Sequence, residues 1–285
     1  MHIFINENPA EITLDTEKTL GEVISGIENW ISKTGNRIQR ILTDGKEVSG
    51  EDLSQAFETP LDSVEKLEIF VSSFRELATE ALEILHQTCV AYTQSSFEER
   101  SGIFTFWGES SSARFLNTDI PDIYHLATLS LSGNGLSAAD LTLIIEERLR
   151  EFRDPLQEIL KSESQVNAIS ARMEELPLDL QTGKDQRAAE TIQLFSQMGE
   201  KLFRILLIFK SEGLSPETVL VDEIPVKTFV EDFSKSLVEL IKAYENNDTV
   251  LAGDISEYEL APAIVKFFTS LKNLSNLHST VHLKP

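Results

Sequence analysis

Cysteine is nearly absent from this chain of 285 residues. Cys89 stands alone, so no disulfide can form within the chain, and nothing points to an oxidising compartment. Long apolar runs are missing too: the densest, residues 202–209, is interrupted by Arg204 and is far shorter than the ~20 residues that span a bilayer. Residues 1–7 lack the basic and apolar regions of a secretory signal. We therefore expect a cytoplasmic protein without a membrane anchor.

Basic residues are also scarce. The chain has 25 Lys and Arg against 47 Asp and Glu, a net charge of 25 − 47 = −22. The excess is spread along the chain: residues 1–75 contain 7 basic and 14 acidic side chains, which leaves 18 and 33 for the rest. Binding to nucleic acid depends on cations that replace the counterions of phosphates, and a field this negative repels polyanions and anionic membranes. The charge excludes those partners; it keeps the chain soluble and leaves a basic protein as a possible partner.

No motif for a cofactor or a nucleophile is complete. Residues 133–138 have the G-x-G-x-x-A spacing of a dinucleotide loop, but a helical pattern precedes them where a strand is required. Gly183-Lys184 resembles the end of a phosphate loop, yet Asp185 stands where Ser or Thr should bind magnesium. A G-x-S-x-G nucleophile elbow is missing. The sequence predicts no cofactor and no catalytic residue.

Three pairs of residues have the spacing of metal ligands. Glu83 and Asp122 each stand three residues before a histidine, His86 and His125, as in carboxylate-bridged di-metal bundles. On a helical wheel His86 lies about 100° from the centre of the apolar stripe and Glu83 points almost opposite to it, whereas metal ligands must face the interior. The third pair, His278 and His282, lies in the last eight residues and has no third ligand. We predict no metal site.

The first 73 residues alternate between strand and helix patterns. Two β-rich runs, 2–5 and 10–15, are separated by turn residues and predict a hairpin. Thr19 and Glu22 form a capping box before a helix whose apolar stripe includes Trp30. Further along, the sequence predicts a strand at residues 38–42, a tight turn at 44–45 and a short strand at 46–48. A helical turn at residues 51–57 and a last strand at 67–71 follow.

This order of elements resembles the ubiquitin-like β-grasp fold. The resemblance is carried by residues 1–5, by residues 40–47 around the turn at Asp44-Gly45, and by residues 67–71. It covers a quarter of the chain and is one of topology. Modifier and sulfur-carrier members of that fold end in a free Gly-Gly, whereas here the chain continues from Ser72 into a helix. The resemblance therefore implies a docking or dimerisation module rather than a conjugated modifier.

From Phe74 onward the patterns are helical. A first helix precedes an irregular aromatic stretch over residues 97–115, and Asp119 is expected to cap the next helix, which ends near Leu131. A later helix starts at Ala138, restarts or kinks at Asp154-Pro155, and is expected to end near Leu176-Pro177. Residues 188–209 are the most apolar, with side chains over about 220° of the helix circumference, so this helix should be central. Residues 228–244 and a last helix, broken near Pro262, complete the chain.

Two sets of residues are candidates for a functional site. Three aromatic residues within four positions, Phe104, Phe106 and Trp107, lack clear periodicity and are our candidates for partner binding, with core packing as the alternative. The acidic clusters around Asp222/Glu223 and Asp254/Glu257 could bind a cation or do acid–base work, but solvated faces are common in so acidic a chain.

These patterns predict an α+β protein with a β-grasp domain at residues 1–73 and an all-α domain at residues 74–285. We expect a non-enzymatic cytoplasmic scaffold or adaptor that binds a basic or helical protein and also itself. One alternative is a chaperone for an exported helical subunit, such as a flagellar or secretion-system component. Another is a small-molecule enzyme with its site in the helical domain, which would require a pocket with convergent polar groups.

Overall fold

The computed structural model describes residues 1–14, 16–33, 35–48, 53–212 and 219–281. For residues 53, 55 and 275–281 it describes the backbone only. The strands are β1 (His2–Ile5), β2 (Asn8–Pro9), β3 (Asn36–Thr43), β4 (Lys46–Glu47), β5 (Lys66–Ser73), β6 (Leu220–Val221) and β7 (Ile224–Pro225). The helices are α1 (Leu20–Ser32), α2 (Leu53–Phe57), α3 (Phe74–Gln94), α4 (Phe97–Gly108), α5 (Ser111–Asp119), α6 (Pro121–Leu131), α7 (Ala138–Arg153), α8 (Pro155–Gln181), α9 (Asp185–Ser211), α10 (Val226–Glu245), α11 (Thr249–Asp254) and α12 (Ala261–Val281).

The predicted α+β class is confirmed: a small mixed sheet is followed by a mostly helical region. The chain divides into two compact units, one of residues 1–149 with 211–213 and one of residues 150–210 with 214–285. The expected boundary after residue 73 falls inside the first unit, so a separate domain at residues 1–73 stays a prediction. No helix within the described ranges is long and apolar enough to cross a membrane.

The sheet has the strand order β2-β1-β5-β3-β4, with β1 and β5 parallel and the other pairs antiparallel. The first hairpin turns at Asn6 and Glu7, whose φ angles of 47° and 66° are left-handed, as a two-residue hairpin turn requires. The sequence predicted turn residues at positions 6–9, but the turn ends at Glu7, and β2 begins at Asn8 and ends at Pro9. The expected strand at residues 10–15 is therefore wrong for residues 10–14, while Asp15 lies outside the described part.

Helix α1 covers one face of the sheet. Thr19 and Glu22 form the predicted capping box: the backbone N–H of Glu22 donates to the Thr19 hydroxyl, and the Glu22 carboxylate accepts from the backbone N–H of Thr19. The core combines one stripe of α1 with inward-facing strand residues, which are Leu20, Val23, Ile24, Ile27, Ile31, Ile3, Ile41, Leu67 and Ile69. Burial of these side chains supplies the main driving force for this part of the fold.

The helical part of the first unit starts where the sheet ends. Ser73 and Glu76 form a second capping box, so β5 passes directly into α3. The expected irregular stretch is wrong, because residues 97–115 lie mostly in α4 and α5, each of which follows a serine at its N-cap. Asp119 ends α5 instead of capping α6, whose N-cap is Ile120. The Asp119 carboxylate accepts a 2.7 Å hydrogen bond from the Arg37 guanidinium on β3.

In the second unit, two prolines lie in helical backbone. Helix α8 continues through Pro177 to Gln181, so its expected end near Leu176 is wrong. The predicted break near Pro262 is confirmed as a π-helical turn, Ile255–Leu260, that leads into α12. The buried Ser170 hydroxyl of α8 donates to the carbonyl of Ala261 at 2.9 Å, which holds the first residue of α12, directly after this turn, against α8.

Helix α9 is lined by buried ion pairs. Glu151 of α7, fully buried, accepts two hydrogen bonds from Arg204, at 2.7 and 3.0 Å. Glu158 of α8 is bonded to Lys201 at 3.2 Å and to Lys161 at 3.1 Å. Burial raises the pKa of Glu158, but the hydrogen bonds and charges of the two lysines outweigh it and hold the pKa below its ordinary value. This carboxylate therefore stabilises the fold above its unfolded pKa, and the contribution is lost as the pH falls through the lowered value.

We predict that Arg204→Met lowers the free energy of unfolding by about 3–5 kcal/mol, because it removes the bidentate partner of a fully buried carboxylate. The double variant Glu151→Leu/Arg204→Met should recover most of the loss, since it leaves no charge behind. Urea unfolding followed by circular dichroism measures both. Lys235→Met is the control, because the Lys235–Glu239 pair is exposed at 4.0 Å and should contribute little. Equal losses for single and double variants would contradict the pairing argument.

Candidate functional site

A groove of about 520 Å³ runs between α1 and the segment that follows β2. Its floor and walls are mostly apolar, and its rim contains carboxylates. The apolar side chains that line it are Ile5, Ala10, Ile12, Leu14, Val23, Ile27 and Trp30. Concave apolar surfaces with a few polar groups at the edge are the usual form of binding sites in proteins.

One wall is the segment of residues 10–14. The backbone N–H of Ala10 still donates to Ile3 of β1 at 2.9 Å, and then the chain leaves the sheet. Beyond Ala10, these residues make no main-chain hydrogen bond to a strand within the described residues. The segment therefore stands away from the sheet edge, and the groove opens between it and α1.

The other wall is the flank of α1 at the edge of the stripe that packs on the sheet. Val23, Gly26 and Trp30 are three and four residues apart, so they lie along one side of the helix. Val23 is buried, whereas Gly26 is exposed and 59% of Trp30 is exposed. The sequence placed Trp30 on the core stripe, and this was wrong: it lies about 100° from the direction of Ile31 on the wheel, at the edge of the stripe.

The two glycines inside α1 differ in what surrounds them. A Cβ on Gly21 would lie 2.6 Å from Cδ1 of Phe57 and 2.8 Å from the Phe57 carbonyl oxygen, so close packing requires glycine there. A Cβ on Gly26 would meet no atom within 4 Å. A glycine inside a helix costs about 0.5–1 kcal/mol relative to alanine. The fold supplies no reason for that cost at Gly26, whereas a ligand that approaches the helix closely would supply one.

The groove's charges are all negative among the residues that line it. Glu11, Glu17 and Glu22 supply three carboxylates, and no Lys, Arg or His lines the groove. The Glu22 carboxylate also accepts from the backbone N–H groups of Lys18 and Thr19, which hold it at the start of α1. The cleft is therefore apolar at its base and anionic at its edge.

The structure separates the three aromatic residues predicted to bind a partner. Trp107 is only 2% exposed and packs against Tyr124 with 5.7 Å between ring centroids and an interplanar angle of 30°, so we correct its assignment: it is a core residue. The reason is the 100° rotation per residue, which turns Trp107 inward and its neighbour Phe106 outward. Phe106 is 81% exposed and Phe104 is half-buried, so a contact role for these two stays a prediction.

The acidic clusters lie in local structures of their own. Asp222 and Glu223 form the turn between β6 and β7 with φ angles of 53° and 68°, and Asp222 pairs with Lys266 at 2.6 Å. Asp254 ends α11, and Glu257 follows in the π-helical turn, where it raises the pKa of the exposed Tyr258. Within the described ranges, no group of three or more potential ligands is close enough to hold a metal ion.

Neither Glu83 with His86 nor Asp122 with His125 belongs to a group of potential metal ligands among the described residues. His86 contacts Glu146 of α7, with 3.3 Å between Nε2 and Oε1. His278 and His282 lie outside the residues whose side chains are described. Burial raises the pKa of the Cys89 thiol to about 12, which leaves the thiolate nucleophile unpopulated at neutral pH.

Comparisons with known proteins match the two ends of the chain separately. The profile of the TP0873 N-terminal domain matches residues 1–73, and the profile of a domain of unknown function, DUF8042, matches residues 157–270. The chain is also 21% identical over 264 residues to an uncharacterized protein of Treponema pallidum (strain Nichols), which spans 93% of this chain and 92% of that protein. No solved structure matches. The groove lies entirely within the segment that resembles the TP0873 N-terminal domain.

We predict opposite effects for two alanine substitutions in α1. Gly26→Ala should stabilise the helix by about 0.5–1 kcal/mol, because it removes the entropic cost of glycine and meets no neighbour. Gly21→Ala should destabilise it by about 1–3 kcal/mol through overpacking against Phe57. Hydrogen exchange of peptides from α1, read by mass spectrometry, measures both. A loss of protection in Gly26→Ala would mean that the fold itself needs this glycine.

Proposed function

We propose that this chain is a non-enzymatic protein-interaction protein, a scaffold or adaptor, that holds another protein in the groove along α1. The observation that carries the proposal is Gly26. A glycine that weakens its own helix, has open space where a side chain would stand and borders an apolar groove next to an exposed tryptophan fits a surface that a partner covers.

We also propose that residues 1–73 are a β-grasp domain used for docking. The strand order β2-β1-β5-β3-β4, with α1 crossing between the first hairpin and β3, supports this. Both edges of the sheet are two-residue strands, and very short edge strands are poor templates for strand addition. A partner is therefore held mainly by side-chain contacts in the groove, and self-association through the same groove is part of the proposal.

The enzyme alternative has less support. Groups with clearly shifted pKa values are candidates for catalysis, and in the described part they are Cys89, Glu99, Glu158 and Tyr258. They lie on four different elements, and none lines the groove. Each shift has a local structural cause, such as the hydrogen bonds from Ser96 that lower the pKa of Glu99 in its capping box. The chaperone alternative would use the groove in the same way, with an exported subunit as the partner.

The test is photo-crosslinking in the cells that produce the protein. A benzophenone amino acid at Ile12, on the groove wall, should give a discrete adduct with a second protein or with another copy. The same group at Val250, which is 72% exposed in the second unit, is the position control.

The same experiment with Gly26→Met added should lose the Ile12 adduct, because a long side chain would occupy the groove. The variant should remain folded, since position 26 is exposed and open and methionine favours helix. An Ile12 adduct that persists with Met at position 26, or no adduct at Ile12 at all, would contradict the proposed function.

A further inference from the structure

We propose that the groove binds a peptide segment in which apolar side chains are flanked by lysine or arginine. This inference rests on the proposed function and adds the chemistry of the partner. It follows from three features of the groove: the sign of its charges, its dimensions, and the arrangement of Trp30 beside Gly26.

Four of the six Lys and Arg residues within positions 1–73 lie on strands. The cations of this region lie mainly on the strands, where the Arg40 guanidinium sits 4.3 Å from the ring centroid of Phe70 and the Lys66 ammonium 4.8 Å from that of Phe4. The groove side presents Glu11, Glu17 and Glu22 without a lining cation. Bringing a second carboxylate next to these glutamates at an interface costs free energy, because like charges repel and lose their water. The rim therefore rejects acidic segments and attracts basic ones.

The dimensions fit a short segment rather than a whole domain face. From Glu22 to Trp30 the groove follows eight residues of α1, which is about 12 Å at 1.5 Å per residue. That length accommodates about four residues of extended chain or two turns of helix. The volume of about 520 Å³ holds a few side chains, so we expect two or three apolar anchors.

The pair of Gly26 and Trp30 defines the centre of the site. They are one helical turn apart on the same flank of α1, so an apolar side chain can pack on the Gly26 backbone against the exposed indole. An exposed indole face also attracts Lys and Arg cations. The site thus favours an apolar anchor followed by a cation, and both preferences agree with the anionic rim.

The test is a selection from a random twelve-residue peptide library displayed on phage. The full chain and its Gly26→Met variant are used as parallel targets. Peptides that enrich on the chain but not on the variant should combine apolar residues with flanking Lys or Arg. Enriched peptides with acidic flanks or no charge bias would overturn the inference. So would the lack of any enrichment that depends on Gly26.

An enriched peptide then permits a direct measurement. Its binding should shift Trp30 emission to shorter wavelength and reduce quenching by acrylamide. The emission of Trp107, which is buried, should not change when the peptide binds. Glu11→Lys should weaken binding about tenfold at low salt and less at physiological salt, because exposed charges are screened. Glu47→Lys, an exposed charge change on β4 outside the groove, is the matched control. Equal effects of the two changes would refute the rim's role.

The library and the crosslinking experiment fail independently. A groove adduct in cells together with acidic or uncharged library peptides would leave the proposed function intact and overturn the partner chemistry. Basic library peptides without a cellular adduct would support the groove's chemistry and count against its use as the physiological docking site.

Discussion

Buried carboxylates that must be paired determine how the helices of the second unit fit together. An unpaired buried charge is far more costly than an imperfect apolar contact, and each of the buried carboxylates Glu151, Glu158 and Asp179 meets a basic side chain on or next to α9. Apolar burial alone would leave the rotation of α9 loosely determined, because its apolar side chains cover more than half of the circumference. The pairs that fix the register are Glu151 with Arg204, Glu158 with Lys201, and Asp179 with Arg187 and Lys184.

In the first unit, a single helix serves both the fold and the groove. The inner stripe of α1 is buried against the sheet, and the capping box at Thr19 sets where the helix begins. The adjacent flank borders the groove with Gly26 and Trp30. Gly21 and Gly26 show the division clearly: a Cβ on the first would collide with Phe57, whereas a Cβ on the second would meet no described atom within 4 Å. The fold therefore requires glycine at position 21 and not at position 26.

The two family profiles leave out the helices between them. Residues 74–156, which include α3 to α7, lie outside both matched segments. Within the first unit these helices are joined to the sheet by specific polar contacts, such as the 3.1 Å hydrogen bond from Gln39 to Glu80 of α3 and the Arg37–Asp119 pair. The sheet is thus a separable sequence module that is embedded in a larger compact unit.

The sequence by itself determined the α+β class, the capping box at Thr19 and the tight turn at Asp44-Gly45, because each depends on periodicity or on residues a few positions apart. It did not determine which edge of an apolar stripe is covered. Trp30, Leu194 and Leu207 match their stripes yet are exposed, while Trp107 looked available and is buried. Nor could it show that Arg204, which interrupts an apolar run, meets a buried glutamate 53 residues away. Only the packed structure decides these points, because burial and pairing depend on neighbours that are distant in the chain. The groove could not be predicted from the sequence either. It exists because residues 10–14 leave the sheet, whereas their local pattern predicts a strand.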